Sequence, residues 1–352
     1  MNLIEKKLWE ILQIARSGDL NEVSTNYLKE GLGNFYKKYV LDKDLDFVSF
    51  SKWLKSDLKA GRLDEKAITQ ALYKIYYFHR DLDTAGELKS YKIKLIEDTD
   101  KKNIEFEKYE LASLNYDKGE KEKALQMVSD AISSLDTNNL KVDTLELYIK
   151  SLIMKNQLKQ DLKENPDDIL DEIKEVETIF INTAKYLDSK KQALFKTQIL
   201  YLYLSHWLNT QNYPMAIVYG AKAVEAFEGG KLPLNMTLKY RIYEGLSYAY
   251  LLNQKYDKAK DTAQKAVALK NKLITIDTFS AIVLLAESAL AQREYDEALN
   301  YAHEANTMVN NSIEKLEYIY ELLAKIYKAK KDDDSAKEYL EKLCRLQEVS
   351  KN

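Results

Sequence analysis

Only 3 prolines and 10 glycines occur in this chain of 352 residues. Sheets joined by tight turns, and glycine-rich ligand loops, usually use more of both. The scarcity points to long helices joined by short polar turns. A single cysteine, Cys344, excludes an internal disulfide framework and a thiolate zinc site. A reducing cytoplasm is the simplest expected setting. Neither sign of charge is in excess: 53 Lys and Arg against 56 Asp and Glu leave a formal net charge of −3. Nucleic-acid binders usually carry a basic excess or stripe. The densest basic spots, Lys37-Lys38 and Lys328 with Lys330-Lys331, have acidic neighbours and read as solvated helix faces. No nucleic-acid partner is therefore expected. No membrane partner is expected either, because no apolar run approaches the ~20 residues a span requires. The run from Ile282 to Leu285 stops at Ala286-Glu287. The segment from Met1 to Trp9 places charges where a signal peptide needs an apolar run. It reads as an amphipathic helix with Leu8, Ile11, Leu12 and Ala15 on one face.

Catalytic signals are equally sparse. The three histidines, His79, His206 and His303, lie far apart in sequence, and none has a second ligand at metal spacing. His206, beside Trp207, reads as packing or groove lining. Cys344 falls on an apolar stripe with Leu340 and Leu343 and is expected to be buried and inert. No P-loop pattern exists. Gly31-Leu32-Gly33 lacks the rest of a dinucleotide fingerprint and marks a helix end or a close approach. Gly229-Gly230 reads as a helix C-cap before Lys231-Leu232-Pro233. The expectation is a non-enzyme with no metal and no cofactor.

What the chain does have is a repeat. Tyr243, Leu246, Ser247 and Tyr250 follow i, i+3, i+4, i+7, one stripe of a helix. A polar turn, Asn253 to Asp257, precedes Ala259, Ala263 and Ala266, again at helical spacing. Two helices joined by so short a turn must pack antiparallel. Ser247 and Ala259 then sit where the helices approach most closely, and the tyrosines fill the wider gaps. Related sets recur. Leu285, Ala286, Tyr295, Ala298 and Ala305 form one. Tyr320, Leu323, Ala324, Tyr327 and Ala336 form a second, with Leu343 in place of the last Ala. Upstream lie Trp207, Tyr213, Ala216 and Ala223, then Leu111, Ala112, Gly119, Ala124 and Ala131, and a faint set of Leu72, Tyr76 and Ala85. The anchor alanines Ala216, Ala259, Ala298 and Ala336 are spaced by 43, 39 and 38 residues. The 92 residues between Ala124 and Ala216 leave room for one divergent hairpin, placed at about 143–187 and split before Pro166.

These sets resemble the tetratricopeptide repeat, or TPR. The resemblance covers roughly Ala67 to Leu346 and is clearest over 197–346. The family's period is ~34 residues; the units here are longer, and the usual proline after the second helix is missing. The resemblance implies an all-α, right-handed superhelical array of antiparallel helix hairpins, an α-solenoid, over residues 61–352. Residues 1–60 would form a helical cap or a small separate module, with helices at Leu3–Ala15 and Val23–Tyr39 and a break at Asp42 to Asp46.

In such arrays the first helix of each hairpin lines the inner groove. The register places Tyr109, Ser113, Gln198, Tyr201, Ser205, Asn209, Arg241, Glu244, Tyr248 and Glu287 there as partner-binding candidates. Some TPR proteins clamp a terminal carboxylate with Lys and Asn. The matching positions here hold Tyr109, Tyr201, Glu244 and Val283, then Ser113, Ser205, Tyr248 and Glu287, so that clamp is absent. Three readings follow: an adaptor or scaffold that binds a protein or peptide, a cytoplasmic peptide-sensing regulator of the bacterial TPR-receptor type, and an enzyme subunit whose chemistry the sequence hides. The first is favoured, and the oligomeric state stays open.

Overall fold

The computed structural model describes residues 3–40, 45–97, 101–135, 142–228, 236–273, 277–309 and 312–350. The expected break at Asp42, Lys43 and Asp44, and the cap and loop from Gly229 to Pro233, lie outside these residues. All regular structure among the described residues is helical. The chain divides into two compact units between Leu162 and Lys163.

The first unit holds α1 (Leu3–Ser17), α2 (Glu22–Leu32), α3 (Tyr36–Val40), α4 (Phe47–Lys59), α5 (Glu65–Phe78), α6 (Leu82–Ile96), α7 (Lys101–Asp117), α8 (Lys121–Ser134) and α9 (Val142–Asp161). Short polar side chains start several of these helices by accepting an otherwise orphaned backbone N–H. Asn21 accepts from Ser24, Asp46 from Ser49 and Asp81 from Thr84. The expected second helix is interrupted at Gly33, whose φ of 52° ends α2. Two residues earlier, a Cβ on Gly31 would stand 2.6 Å from that of Ala71, so α2 and α5 touch backbone to backbone. Both readings of Gly31-Leu32-Gly33 therefore hold, one for each glycine. Ile4, Leu8, Leu28, Phe50 and Leu72 share one core, which joins the first 60 residues to α5.

Asp57, almost fully buried in that core, accepts hydrogen bonds from Tyr39 (2.6 Å), Lys38 (2.8 Å) and Arg62 (2.7 Å). Burial alone would raise its pKa; these donors outweigh burial and bring it down to about 2. A folded-state pKa below the unfolded one stabilises the protein above the unfolded value, and that stability disappears as pH falls from about 4 towards 2. Wild type should exceed Asp57→Asn by on the order of 2 kcal/mol at neutral pH. Denaturant titrations at stepped pH should show the gap shrinking below pH ~4; a gap that stays constant would mean these donors do not hold the carboxylate.

The second unit holds α10 (Pro166–Thr183), α11 (Ser189–Asn209), α12 (Tyr213–Glu228), α13 (Met236–Leu252), α14 (Tyr256–Val267), α15 (Phe279–Ala291), α16 (Tyr295–Thr307), α17 (Ile313–Ala329) and α18 (Asp333–Ser350). Pro166 opens α10, with Asn165 capping it, but the hairpin expected at about 143–187 is divided: α9 belongs to the first unit and α10 to the second. From α11 onward the helices pair as antiparallel hairpins. Each hairpin's second helix packs on the first helix of the next, and the first helices α11, α13, α15 and α17 also touch in succession. This is the stacking of a solenoid.

The anchor alanines Ala216, Ala259 and Ala298 are fully buried, and Ser247 Oγ donates to the Ala259 carbonyl at 2.7 Å. Gly220 fits the same logic, since a Cβ there would meet Leu246 at 2.9 Å. Many tyrosines bury the ring between helices and send the hydroxyl to a carboxylate at the rim. Tyr203 donates to Glu177 and Tyr243 to Glu228, both at 2.7 Å. Cys344 departs from expectation: it is exposed, and Leu340 beside it is 48% exposed. Its stripe lies on α18, and among the described residues no further hairpin packs on that helix.

The turns inside the hairpins share a device that periodicity does not reveal. Two residues after the first helix ends, the backbone is left-handed at Arg80, Gln211, Gln254, Arg293 and Lys331, with φ of 57–66°. Around Gln254, its own N–H reaches the Leu251 carbonyl and the next N–H, of Lys255, reaches Tyr250. This satisfies the orphan carbonyls of α13. Glycine usually takes that position, and Gly119 does so after α7. Gln254→Gly should therefore gain about 1 kcal/mol by relieving the Cβ clash. A thermal melt showing a loss instead would place the strain elsewhere.

Candidate functional site

The first helices of three successive hairpins enclose a cleft of about 650 Å³. Tyr201, Ser205 and Asn209 reach it from α11 at intervals of one turn. Arg241, Glu244, Gly245 and Tyr248 line it from α13, and Phe279, Ser280, Val283 and Glu287 from α15. Tyr318 of α17 closes one side, and Gln211 and Tyr213 contribute from the turn before α12 and its first residue. Gly245 lets α13 lie close to α11: a Cβ would stand 3.3 Å from Leu204 and Leu208.

Two carboxylates set the electrostatics. Burial pushes the Glu244 carboxyl above its ordinary range, against a hydrogen bond from Ser280 and the positive charge of Arg241; Asp277 adds to the rise. Burial also raises Glu287, against the hydrogen bond donated by Tyr318 and the charge of Lys325. Tyr248 is raised by burial and by the nearby Tyr213 and Glu287.

Seven of the ten candidate positions meet around this one cleft: Tyr201, Ser205, Asn209, Arg241, Glu244, Tyr248 and Glu287. Gln198 is half-buried about one turn before Tyr201, outside the lining. Tyr109 and Ser113 lie on α7 of the first unit, where Tyr109 packs on the Ala112–Ala124 core and burial lifts its hydroxyl to about 12. Sequence reasoning missed Ser280 and Tyr318. Both were within reach, because the row from Gln198 to Arg241 continues at the anchor spacing of 39 and 38 residues to these two positions.

The histidines are occupied locally. His206 is buried edge-on against Trp207, and burial lowers its pKa. His79 Nε2 lies 3.0 Å from Ser24 Oγ, and His303 Nε2 lies 3.2 Å from the Tyr327 hydroxyl. Among the described residues, no group of three or more His, Cys, Asp or Glu is placed to hold a metal ion, and no helix is long and apolar enough to cross a membrane.

The sequence profile of the tetratricopeptide repeat matches residues 240–273 and 318–349, the hairpins α13–α14 and α17–α18. The chain carries tetratricopeptide repeats. The hairpin α15–α16 between the matched pair has buried alanines like those of α13–α14 and the same left-handed turn. Among solved structures, a Rap protein complexed with competence and sporulation factor is 14% identical, covering 98% of this chain and 98% of its own, with a TM-score of 0.54. BtubC (BKLC) from P. vanneervenii is 13% identical, covering 66% of this chain and 91% of its own, with a TM-score of 0.52. At such identities the likeness concerns the TPR fold. No curated protein matches the chain significantly.

Proposed function

We propose that this chain is a protein-interaction module, an adaptor or scaffold, and that the cleft of its second unit receives an extended segment of a partner protein or a peptide. The observation that carries the reading is the cleft itself: three first helices in succession direct aromatic, amide and charged side chains into one volume. Tyrosine and arginine are the residue types that most often dominate binding energy at interfaces. The volume lies within the ~300–1,000 Å³ typical of ligand sites. Mixed polar and aromatic lining suits a segment that offers both backbone groups and apolar anchors.

The test is capture from a native lysate with the tagged protein, beside a variant carrying Tyr201→Ala, Arg241→Ala and Tyr248→Ala. Hot-spot truncations typically cost ~2 kcal/mol or more each, so the variant should lose its partner entirely. A variant that holds the same set of proteins as wild type defeats the groove assignment.

A second reading is a peptide-sensing regulator. It draws on the Rap likeness, which spans nearly the whole of both chains, and that protein was crystallised with competence and sporulation factor. Small-angle scattering separates the two readings: a sensor should change its compactness when a short peptide binds, and an adaptor should not.

A further inference from the structure

The cleft's charges do not cancel. Asp277 pairs with Lys315 at 2.6 Å, and Glu321 with Lys325 at 2.7 Å. Glu244 sits beside Arg241. Glu287 is left over: among the described residues no cation lies within ion-pair distance of it, and its Oε1 accepts only from the Tyr318 hydroxyl. Glu287 and Tyr318 also border an adjoining cavity of about 360 Å³ lined by Leu251, Tyr256 and Leu322. They therefore stand at the junction of two open volumes. Tyr248 and Tyr318 are 43% and 45% exposed, unusually open for tyrosines of this chain, and both lie within electrostatic reach of Glu287.

We propose that this junction is the specificity subsite of the groove and takes a lysine or arginine side chain from the bound segment. The proposal rests on the interaction reading above. Three features converge on a cation. A half-buried carboxylate without an ion pair attracts one. Two open tyrosine rings line the cleft beside Glu287, and an aromatic ring attracts a cation through its quadrupole. The Tyr318 hydroxyl holds Glu287 in place while leaving its second oxygen for the incoming donor. An apolar side chain would fill the volume but bury Glu287 unpaired, and an acidic one would add repulsion, so the site discriminates against both.

The experiment uses the full chain and four pools of acetylated, amidated hexapeptides. One position is fixed as Lys, Arg, Glu or norleucine, and the others are mixed over uncharged residues. Retention is measured by equilibrium dialysis with mass spectrometry. The Lys and Arg pools should be retained about tenfold or more above norleucine, with Glu lowest. Glu287→Gln, close in shape to wild type, should abolish that preference. Tyr318→Phe, which removes only the positioning hydroxyl, should reduce it. Equal or better retention of the norleucine or Glu pool overturns the cation subsite while leaving the groove reading intact. If no pool binds wild type better than the Tyr201→Ala, Arg241→Ala double variant, the groove reading itself fails and takes the subsite with it.

Discussion

Lys89→Ala is expected to destabilise the first unit by about 3–5 kcal/mol, the usual cost of removing one partner from a buried ion pair. Lys89 is fully buried on α6. Its ammonium lies 2.7 Å from Glu107, contacts Glu110 and sits 4.1 Å above the Tyr73 ring. Lys92 completes the cluster by pairing with Glu107 at 2.6 Å. Burial would raise the Glu107 pKa, and the two lysines more than reverse it. Without Lys89, a carboxylate only 7% exposed keeps a single partner. The loss is asymmetric, because an orphaned buried charge costs more than the pair contributes. Lys89→Met combined with Glu107→Gln, which keeps an acceptor for Lys92, should therefore recover much of the loss. Denaturant unfolding of the three proteins measures this. A single variant within ~1 kcal/mol of wild type would show that the pair is solvated rather than buried.

Ala259→Phe is expected to cost about 3 kcal/mol, the upper end of ordinary overpacking. The site has no room to yield: Ala259 is fully buried and its carbonyl is engaged by Ser247, on the helix a phenyl ring would push away. Hydrogen exchange should localise the loss to α13 and α14. Ala298→Phe should behave alike in the next hairpin. An unchanged melting temperature for either variant means that the repeat register is misassigned.

The hairpins were legible because their determinants are local and periodic. A helix that must touch its neighbour needs a small residue once per unit, and Ala216, Ala259 and Ala298 announce it at a spacing any reader can count. The same register brought seven candidate residues to one cleft, and following the Gln198–Arg241 row further would have added Ser280 and Tyr318. Other features carry no periodic mark. The helix α4 escaped notice, and the left-handed turn residues are Arg, Gln and Lys where glycine would have signalled them. Cys344 lies on an apolar stripe, but a stripe states only that a face can be covered. Whether it is covered depends on a neighbour that arrives from elsewhere in the chain.

Helix content, hairpin pairing and the side of each helix that meets the next are thus written in the order of residues, because each depends on side chains within a few turns of one another. Which carboxylate ends up without a cation, and which lysine ends up without water, are not. Lys89 and Glu287 look like dozens of other charged residues in the sequence. Packing between separate helices pairs the one with Glu107 and Glu110 and leaves the other beside open tyrosines, since burial and charge balance are sums over neighbours that only the folded chain brings together.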